Sequence, residues 1–181
     1  MSDEKVLELE GMASRHVGLT PAVAESYREA ALVSLDRHHD SPQEFTLRFE
    51  DGDEKKASID WEEPDERCKS AWANFDDATR DGAYACAIVA TEVSYGLYTV
   101  RRAETLTGAD YYVSPNEDLP DDLEDCLRLE VSGTALGEGE VMRRLRVKIK
   151  QAEEGKSSLP AIAVIVGFKA KLISSAEVEA P

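Results

Sequence analysis

The order of hydrophobic patterns between residues 80 and 168 constrains the fold of this chain more than any other feature. A helical pattern rich in alanine covers 81–96, and Gly96 provides a signal for its end. Strand patterns, a second helix and a buried strand follow, over 98–102, 110–113, 126–132, 140–153 and 160–168 in turn. The order helix, three strands, helix, strand predicts an α+β core with a mixed sheet.

Two further patterns precede this core. A helix is predicted from Pro21 to about His38, because Thr20 can cap it and Pro21 suits the first helical position. Apolar and polar residues alternate over 45–49 and again over 57–61, on either side of an Asp-Gly turn signal. These patterns predict an N-terminal helix followed by a β-hairpin.

The domain organisation follows from the length of 181 residues and from where the patterns begin and end. We expect a flexible N-terminus over 1–20, a single α+β domain over 21–174 and a disordered tail over 175–181. The domain is long enough to bury a sizeable core.

The distribution of apolar residues and cysteines predicts a cytoplasmic protein with no membrane segment. No apolar run approaches the roughly 18 residues of a membrane span, and the first residues lack a signal-peptide pattern. Cys68, Cys86 and Cys126 form no CxxC pair, which fits reduced thiols better than disulfides or a zinc site.

The formal net charge of −16 is unevenly distributed along the chain. Residues 1–126 carry 12 Lys and Arg against 30 Asp and Glu, whereas 127–181 carry 9 against 7. The first part is expected to repel nucleic acid and to suit a basic protein partner. The helix over 141–150 is basic and acid-free, with Arg143, Arg144, Arg146, Lys148 and Lys150.

Two acids on neighbouring predicted strands are candidates for chemistry. Asp110 follows a Gly-Ala turn, and Glu130 lies between Leu129 and Val131. Strand alternation places Glu130 on the face opposite these aliphatic neighbours. A carboxylate inside a buried strand is costly unless it is paired, hydrogen-bonded or bound to metal. Two carboxylates brought together would suit Mg²⁺ or Mn²⁺, and such an ion can activate water beside a phosphate.

The element order, with Gly108-Ala109-Asp110 followed by Glu130-Val131-Ser132, resembles the PD-(D/E)XK nuclease superfamily. The resemblance covers about half the chain. It implies a restriction-endonuclease-like core of the αβββαβ type that hydrolyses nucleic-acid phosphodiesters. It also implies that Asp110 and Glu130 hold Mg²⁺ or Mn²⁺.

The chain departs from that pattern where the family has a lysine, because Ser132 stands there. Some relatives place the lysine on the following helix, and the resemblance then makes Lys148 a catalytic candidate. Gln151 is a second catalytic candidate one turn further along, and Glu92 resembles an additional metal-binding acid. The residues expected to contact nucleic acid are Arg144, Arg146, Lys148 and Lys150.

Each of these residues also has a structural interpretation. Asp110 could be a turn residue, and Glu130 could pair with Arg128 or with a helix arginine. Glu92 could be a solvated or capping residue, and the basic run a solvated helix face. The alternative hypothesis is therefore a catalytically inactive nuclease-fold module that binds a protein or a nucleic acid.

Overall fold

The computed structural model describes residues 4–105 and 107–180, which form an α+β fold with a mixed eight-stranded sheet and five helices. The strands are β1 (Lys5–Val6), β2 (Gln43–Arg48), β3 (Glu54–Ile59), β4 (Tyr98–Arg102), β5 (Tyr111–Ser114), β6 (Leu127–Thr134), β7 (Ala161–Gly167) and β8 (Leu172–Val178). The helices are α1 (Met12–Arg15), α2 (Pro21–Asp36), α3 (Glu66–Ala71), α4 (Phe75–Tyr95) and α5 (Glu138–Glu154). The strand order across the sheet is β1-β3-β2-β8-β7-β6-β5-β4. Within the described ranges, no helix combines the length and apolar character that crossing a membrane requires.

The elements from α4 to β7 follow the order predicted from the sequence. The strands β4, β5 and β6 form an antiparallel meander, in which Tyr111 lies opposite Leu129. Helix α5 then crosses over, so that β7 runs parallel to β6. Helix α4 begins earlier than predicted because the Asn74 side chain caps its first turn, and it ends as predicted at Gly96, where φ is 65°.

The predicted N-terminal helix and hairpin are confirmed. The Thr20 side chain accepts a hydrogen bond from Val23 N–H at 3.3 Å, and this caps α2. Strands β2 and β3 pair antiparallel, with Phe45 opposite Ala57. Strand β2 also pairs parallel with β8, which joins the hairpin to the second half of the sheet.

Helices cover both faces of the sheet. Ile162 and Val164 of β7 belong to the main apolar cluster with α2 and α4, whereas the alternate residues Ala163 and Ile165 pack with α5. Helices α2 and α4 approach closely at Gly82, where a Cβ atom would lie 2.9 Å from the Ala30 backbone. The small side chain at this position therefore sets the spacing of the two helices.

Two terminal segments correct the predicted domain limits. Residues 4–20, expected to be flexible, contribute β1, α1 and buried side chains that include Leu7 and Met12. Residues 175–178, expected to lie in a disordered tail, belong to β8 between β7 and β2. Strand pairing orders part of both segments, because β1 pairs with β3 and residues 175–178 pair with β7. The folded unit thus extends beyond 21–174, while residues 1–3 and 181 lie outside the described residues.

Candidate functional site

A strip of polar side chains lies between β6 and α5. Strand alternation turns Leu129 and Val131 of β6 towards the α4 side, so the residues between them face α5. On the other side of α5, Val141 and Leu145 pack on β7 and β8 through apolar contacts. The members of this polar strip are Arg128, Glu130 and Ser132 of β6 with Arg144 and Lys148 of α5.

Glu130 is buried inside the polar strip, with 1% of its surface exposed. Its Oε1 lies 3.4 Å from Arg128 Nη1, and its Oε2 has no hydrogen-bond partner in the described structure. Burial raises the pKa of the Glu130 carboxyl, although the charges of Lys148 and Arg128 oppose this effect. The Arg128 ion pair anticipated by the structural interpretation is therefore present.

Arg128 links β6 to the end of α5. Its side chain is fully buried, and Nη2 donates to the carbonyl of Ala152 at 3.3 Å. Its Nε donates to the carbonyl of Leu159 at 3.1 Å. A cation at the C-terminus of a helix interacts favourably with the last carbonyl groups and the helix dipole. Arg128 thus fastens α5 to the sheet.

Arg144 occupies the neighbourhood of Ser132, where the family pattern has its lysine. Its Nη1 donates to Ser132 Oγ at 3.1 Å and to the carbonyl of Gly133 at 3.0 Å. Its Nε donates to Glu140, which also accepts two hydrogen bonds from Arg143. These hydrogen bonds lower the pKa of Glu140 to about 2. The sequence indicated Lys148 for this place, but the guanidinium that reaches Ser132 belongs to Arg144.

Asp110 lies immediately before β5, and the pairing of Tyr111 with Leu129 places it next to Glu130 across the two strands. The charge of Asp110 acts on Glu130. The Asp110 carboxylate nevertheless bonds to α4 whereas Glu130 faces α5, so a site shared by the two carboxylates stays a prediction. Asp110 Oδ1 accepts a hydrogen bond from Tyr84 Oη at 2.8 Å, and Oδ2 accepts one from Val131 N–H at 2.7 Å. These bonds tie the start of β5 to α4 and β6.

A tyrosine cluster surrounds Asp110 on the α4 side. The hydroxyl groups of Tyr27 and Tyr111 lie 2.7 Å apart, and the Tyr27 and Tyr84 rings stack at 5.0 Å. Burial and the charge of Asp110 raise the pKa of Tyr84 to about 12. Arg102 lies over the rings of Tyr84 and Tyr111. No sequence pattern predicts this cluster, because its three tyrosines come from α2, α4 and β5.

A cleft of about 650 Å³ opens beside the polar strip, between the first turns of α4 and the end of β6. Ser132 and Arg144 line one side, and Arg80 and Tyr84 line another. Asp110 is not among the lining residues, but it forms hydrogen bonds with two of them, Tyr84 and Val131. Glu130 is excluded from the lining, because α5 covers it.

Glu92 lies elsewhere on α4. Its carboxylate accepts a hydrogen bond from Arg15 Nε at 3.0 Å and contacts His16 Nε2 at 2.8 Å. Tyr84, which contacts Asp110, is two helical turns away, or about 12 Å along the axis. The structure therefore gives Glu92 a role in holding the N-terminal segment and does not bring it to Asp110 and Glu130.

Three of the remaining predicted site residues lie on the exposed side of α5, and the fourth, Lys148, does not. Gln151, Arg146 and Lys150 are exposed, and Lys150 Nζ lies 3.8 Å from a carboxylate oxygen of Glu154. Lys148 is half-buried, and its charge acts on Glu130. Of the basic residues expected to contact nucleic acid, Arg144 and Lys148 thus face the polar strip.

The arrangement of Asp110 and Glu130 does not fit a Mg²⁺ or Mn²⁺ ion. Both oxygens of Asp110 accept hydrogen bonds, and Glu130 is buried beside the cations Arg128 and Lys148. These ions require several oxygen ligands and usually retain water. Across residues 4–105 and 107–180, no three His, Cys, Asp or Glu side chains group closely enough to hold a metal.

Comparison with known proteins does not extend this description. The chain gives no significant match to a protein-family model, to a curated protein or to a solved structure.

Proposed function

We propose that this chain is a non-catalytic module with a nuclease-like αβββαβ core that binds a basic protein partner. The observation that carries this proposal is the burial of Glu130 under α5, where it pairs with Arg128. Metal-assisted hydrolysis requires carboxylates that reach a metal ion, water and phosphate together. Asp110 instead accepts hydrogen bonds on both of its oxygens, and Glu130 is buried beside Arg128.

The charge distribution supports a basic protein over a nucleic acid as the partner. The net charge is −16, and residues 1–126 hold 30 of the 37 acids. The basic helix α5 is locally compensated, because Arg143 and Arg144 bind Glu140 and Lys150 lies near Glu154. The net negative charge of the protein would therefore repel a nucleic-acid phosphate backbone, and the ion pairs on α5 leave little positive charge to attract it.

Purification from the native cells at two salt concentrations tests this proposal. A tagged copy of the chain is expected to retain a basic protein in a fixed ratio at low salt. The complex should dissociate near 1 M salt, where the Debye length falls to about 3 Å. Recovery of the same monodisperse, partner-free protein under both conditions would count against the proposal.

A metal-dependent nuclease is the second candidate function. The observation that favours it is the unpartnered Glu130 Oε2, on which the charges of Asp110 and Lys148 both act. In this alternative, α5 would have to move before Glu130 could bind a metal ion. Ser132 would leave Arg144 and Lys148 as the sources of positive charge.

Calorimetric titration with Mn²⁺ separates the two candidates. A nuclease site predicts binding that is lost in both Asp110→Asn and Glu130→Gln. Glu92→Gln is the matched control, because it removes a partly buried carboxylate that binds Arg15 and His16. The binding-module proposal predicts no specific Mn²⁺ binding in the wild type or in any of the three variants.

A further inference from the structure

The cleft of about 650 Å³ between α4 and the end of β6, which we call the α4–β6 cleft, differs in charge from the rest of this acidic protein. Its volume lies within the range of about 300–1,000 Å³ that is typical of small-molecule sites. Among the described residues that line it, the guanidinium groups of Arg80 and Arg144 and the carboxylate of Asp76 give a formal charge of +1. The whole chain has a net charge of −16.

Arg144 is held in place by the protein and still has donor capacity to spare. Its Nε donates a hydrogen bond to Glu140, and its Nη1 donates to Ser132 Oγ and to the carbonyl of Gly133. These bonds fix the plane of the guanidinium group. In the described structure Nη2 donates no hydrogen bond, so it remains available to a ligand. Guanidinium groups bind carboxylate and phosphate groups with defined geometry.

Thr79 supplies a second, independent observation. It lines the α4–β6 cleft, and only 9% of its surface is exposed. Its hydroxyl group makes no hydrogen bond in the described structure, yet the hydroxyl oxygen is not fully enclosed by protein. The backbone here is closely packed, because a Cβ atom at Gly133 would lie 2.7 Å from the Thr79 carbonyl oxygen. A buried hydroxyl group without a partner is unfavourable, and at the wall of a cleft it points to a polar ligand.

Phe75 and Leu136 give the α4–β6 cleft its apolar surface. Both side chains line the cleft, although 62% and 60% of their surfaces are exposed. The guanidinium carbon of Arg37 lies 3.4 Å from the centroid of the Phe75 ring, and this cation–π contact holds the ring. Large apolar side chains that are exposed together mark binding surfaces. The cleft therefore offers apolar contacts beside unused hydrogen-bond donors.

We propose that the α4–β6 cleft binds a small amphipathic anion, in which one carboxylate, sulfonate or phosphate group is attached to an aromatic body. The anionic group accepts hydrogen bonds from Arg144 Nη2 and from the Thr79 hydroxyl group. The aromatic body packs against Phe75 and Leu136. A small anion meets only the lining of the cleft, whereas a polyanion also meets the repulsion of the whole acidic surface. This site is additional to the proposed binding of a basic partner.

Fluorescence titration with anilinonaphthalene sulfonate, a sulfonate on an aromatic body, tests the inference. The matched probe is N-phenylnaphthylamine, which has the same rings without the sulfonate. We expect one molecule of the sulfonate to bind per chain, with a Kd at least about tenfold lower than that of the uncharged probe. Circular dichroism must show that the wild type and each variant are folded, because the sulfonate also binds loosely packed chains.

Two neighbouring arginines provide a matched pair of variants. Arg144→Gln should raise the Kd of the sulfonate by at least about tenfold, because it removes the donor to the anionic group. Arg143→Gln removes a guanidinium group that also binds Glu140 but does not line the cleft. It changes the net charge equally, and we expect it to raise the Kd by less than about threefold.

Two exposed leucines provide a second pair, which tests the site even if Arg144→Gln fails to fold. Leu136→Ser should raise the Kd of the sulfonate by about fivefold, because it removes part of the apolar contact. Leu119 is similarly exposed but lines a different cleft. Leu119→Ser should therefore change the Kd by less than about twofold.

Equal loss of affinity in Arg144→Gln and Arg143→Gln, or in the two leucine variants, would overturn the inference. Equally tight binding of the uncharged probe would do the same, as would absence of sulfonate binding to the folded wild type. A single-stranded DNA oligonucleotide is the competitor. We expect it to leave the bound sulfonate in place, and displacement would assign the cleft to nucleic acid and contradict the proposal.

Discussion

The pair of Arg128 and Glu130 shows how a residue that resembles a catalytic group can serve the fold. Both side chains are almost completely buried. Arg128 joins the carbonyl groups of Ala152 and Leu159, and Glu130 balances its charge. Such pairs are costly to break from one side, because the remaining charge is left without compensation.

A double-mutant cycle measures this pairing. Arg128→Met and Glu130→Leu are each expected to lower the free energy of unfolding by about 3–5 kcal/mol. The double variant should lose about 1–3 kcal/mol less unfolding free energy than the sum of the two single variants, because neither buried charge remains. Urea denaturation checks the prediction, and strictly additive losses would show that the two residues do not stabilise each other.

His16 predicts a pH dependence of stability. It is fully buried, its Nδ1 accepts a hydrogen bond from Thr99 N–H at 3.0 Å, and its Nε2 lies beside Glu92. Burial lowers the pKa of His16 below its usual 6.5, although Glu92 opposes this effect. The unfolded chain therefore binds a proton at this histidine at higher pH than the folded protein does. The stability that neutral His16 contributes is present above about pH 6.5 and is lost as the pH falls below it.

The control for this prediction is His16→Gln, which does not titrate. We expect the difference in unfolding free energy between wild type and variant to shrink as the pH falls from 7 towards the lowered pKa of His16. Denaturation curves at several pH values provide the measurement. A difference that stays constant with pH would exclude His16 as the titrating group.

At the scale of elements, periodic segments were predictable and segments ordered by long-range pairing were not. Helices α2, α4 and α5 have strong helical patterns, and β6 alternates clearly. Strand β8 contains Ser174 and Ser175, which lower its hydropathy, yet it lies between two strands in the sheet. The pairing of β5 with β6, the strands next to Asp110 and around Glu130, followed from the strand order. The contact of Arg144 with Ser132 depends on how α5 is rotated on the sheet, which the sequence pattern does not determine.

We expect replacement of glycine by alanine to have opposite effects on stability at Gly82, where α4 packs on α2, and at Gly139. Gly82→Ala should destabilise the protein by about 1–3 kcal/mol, because the new Cβ would meet the Ala30 backbone at 2.9 Å. Gly139→Ala in α5 is the matched control, since open space surrounds that position, and it should stabilise the protein by about 0.5–1 kcal/mol. Thermal denaturation distinguishes them, and stabilisation by both would contradict the close contact.

At the scale of the whole molecule, one sheet joins two parts of different charge. Strand β8 pairs with both β2 and β7, so the hairpin and the part from α4 to β7 share a continuous sheet. The acids concentrate in residues 1–126. The polar strip lies under α5 in the other part.

The most direct test of this account is cleavage of single- and double-stranded DNA and RNA with Mg²⁺ and then Mn²⁺. Wild-type protein is compared with Asp110→Ala and Glu130→Ala, after each variant is shown to be folded. We expect no metal-dependent cleavage by the wild type, because Glu130 is buried beneath α5 and Asp110 accepts hydrogen bonds from Tyr84 and Val131. Cleavage by the wild type that is lost in both folded variants would contradict the account and establish a two-carboxylate nuclease.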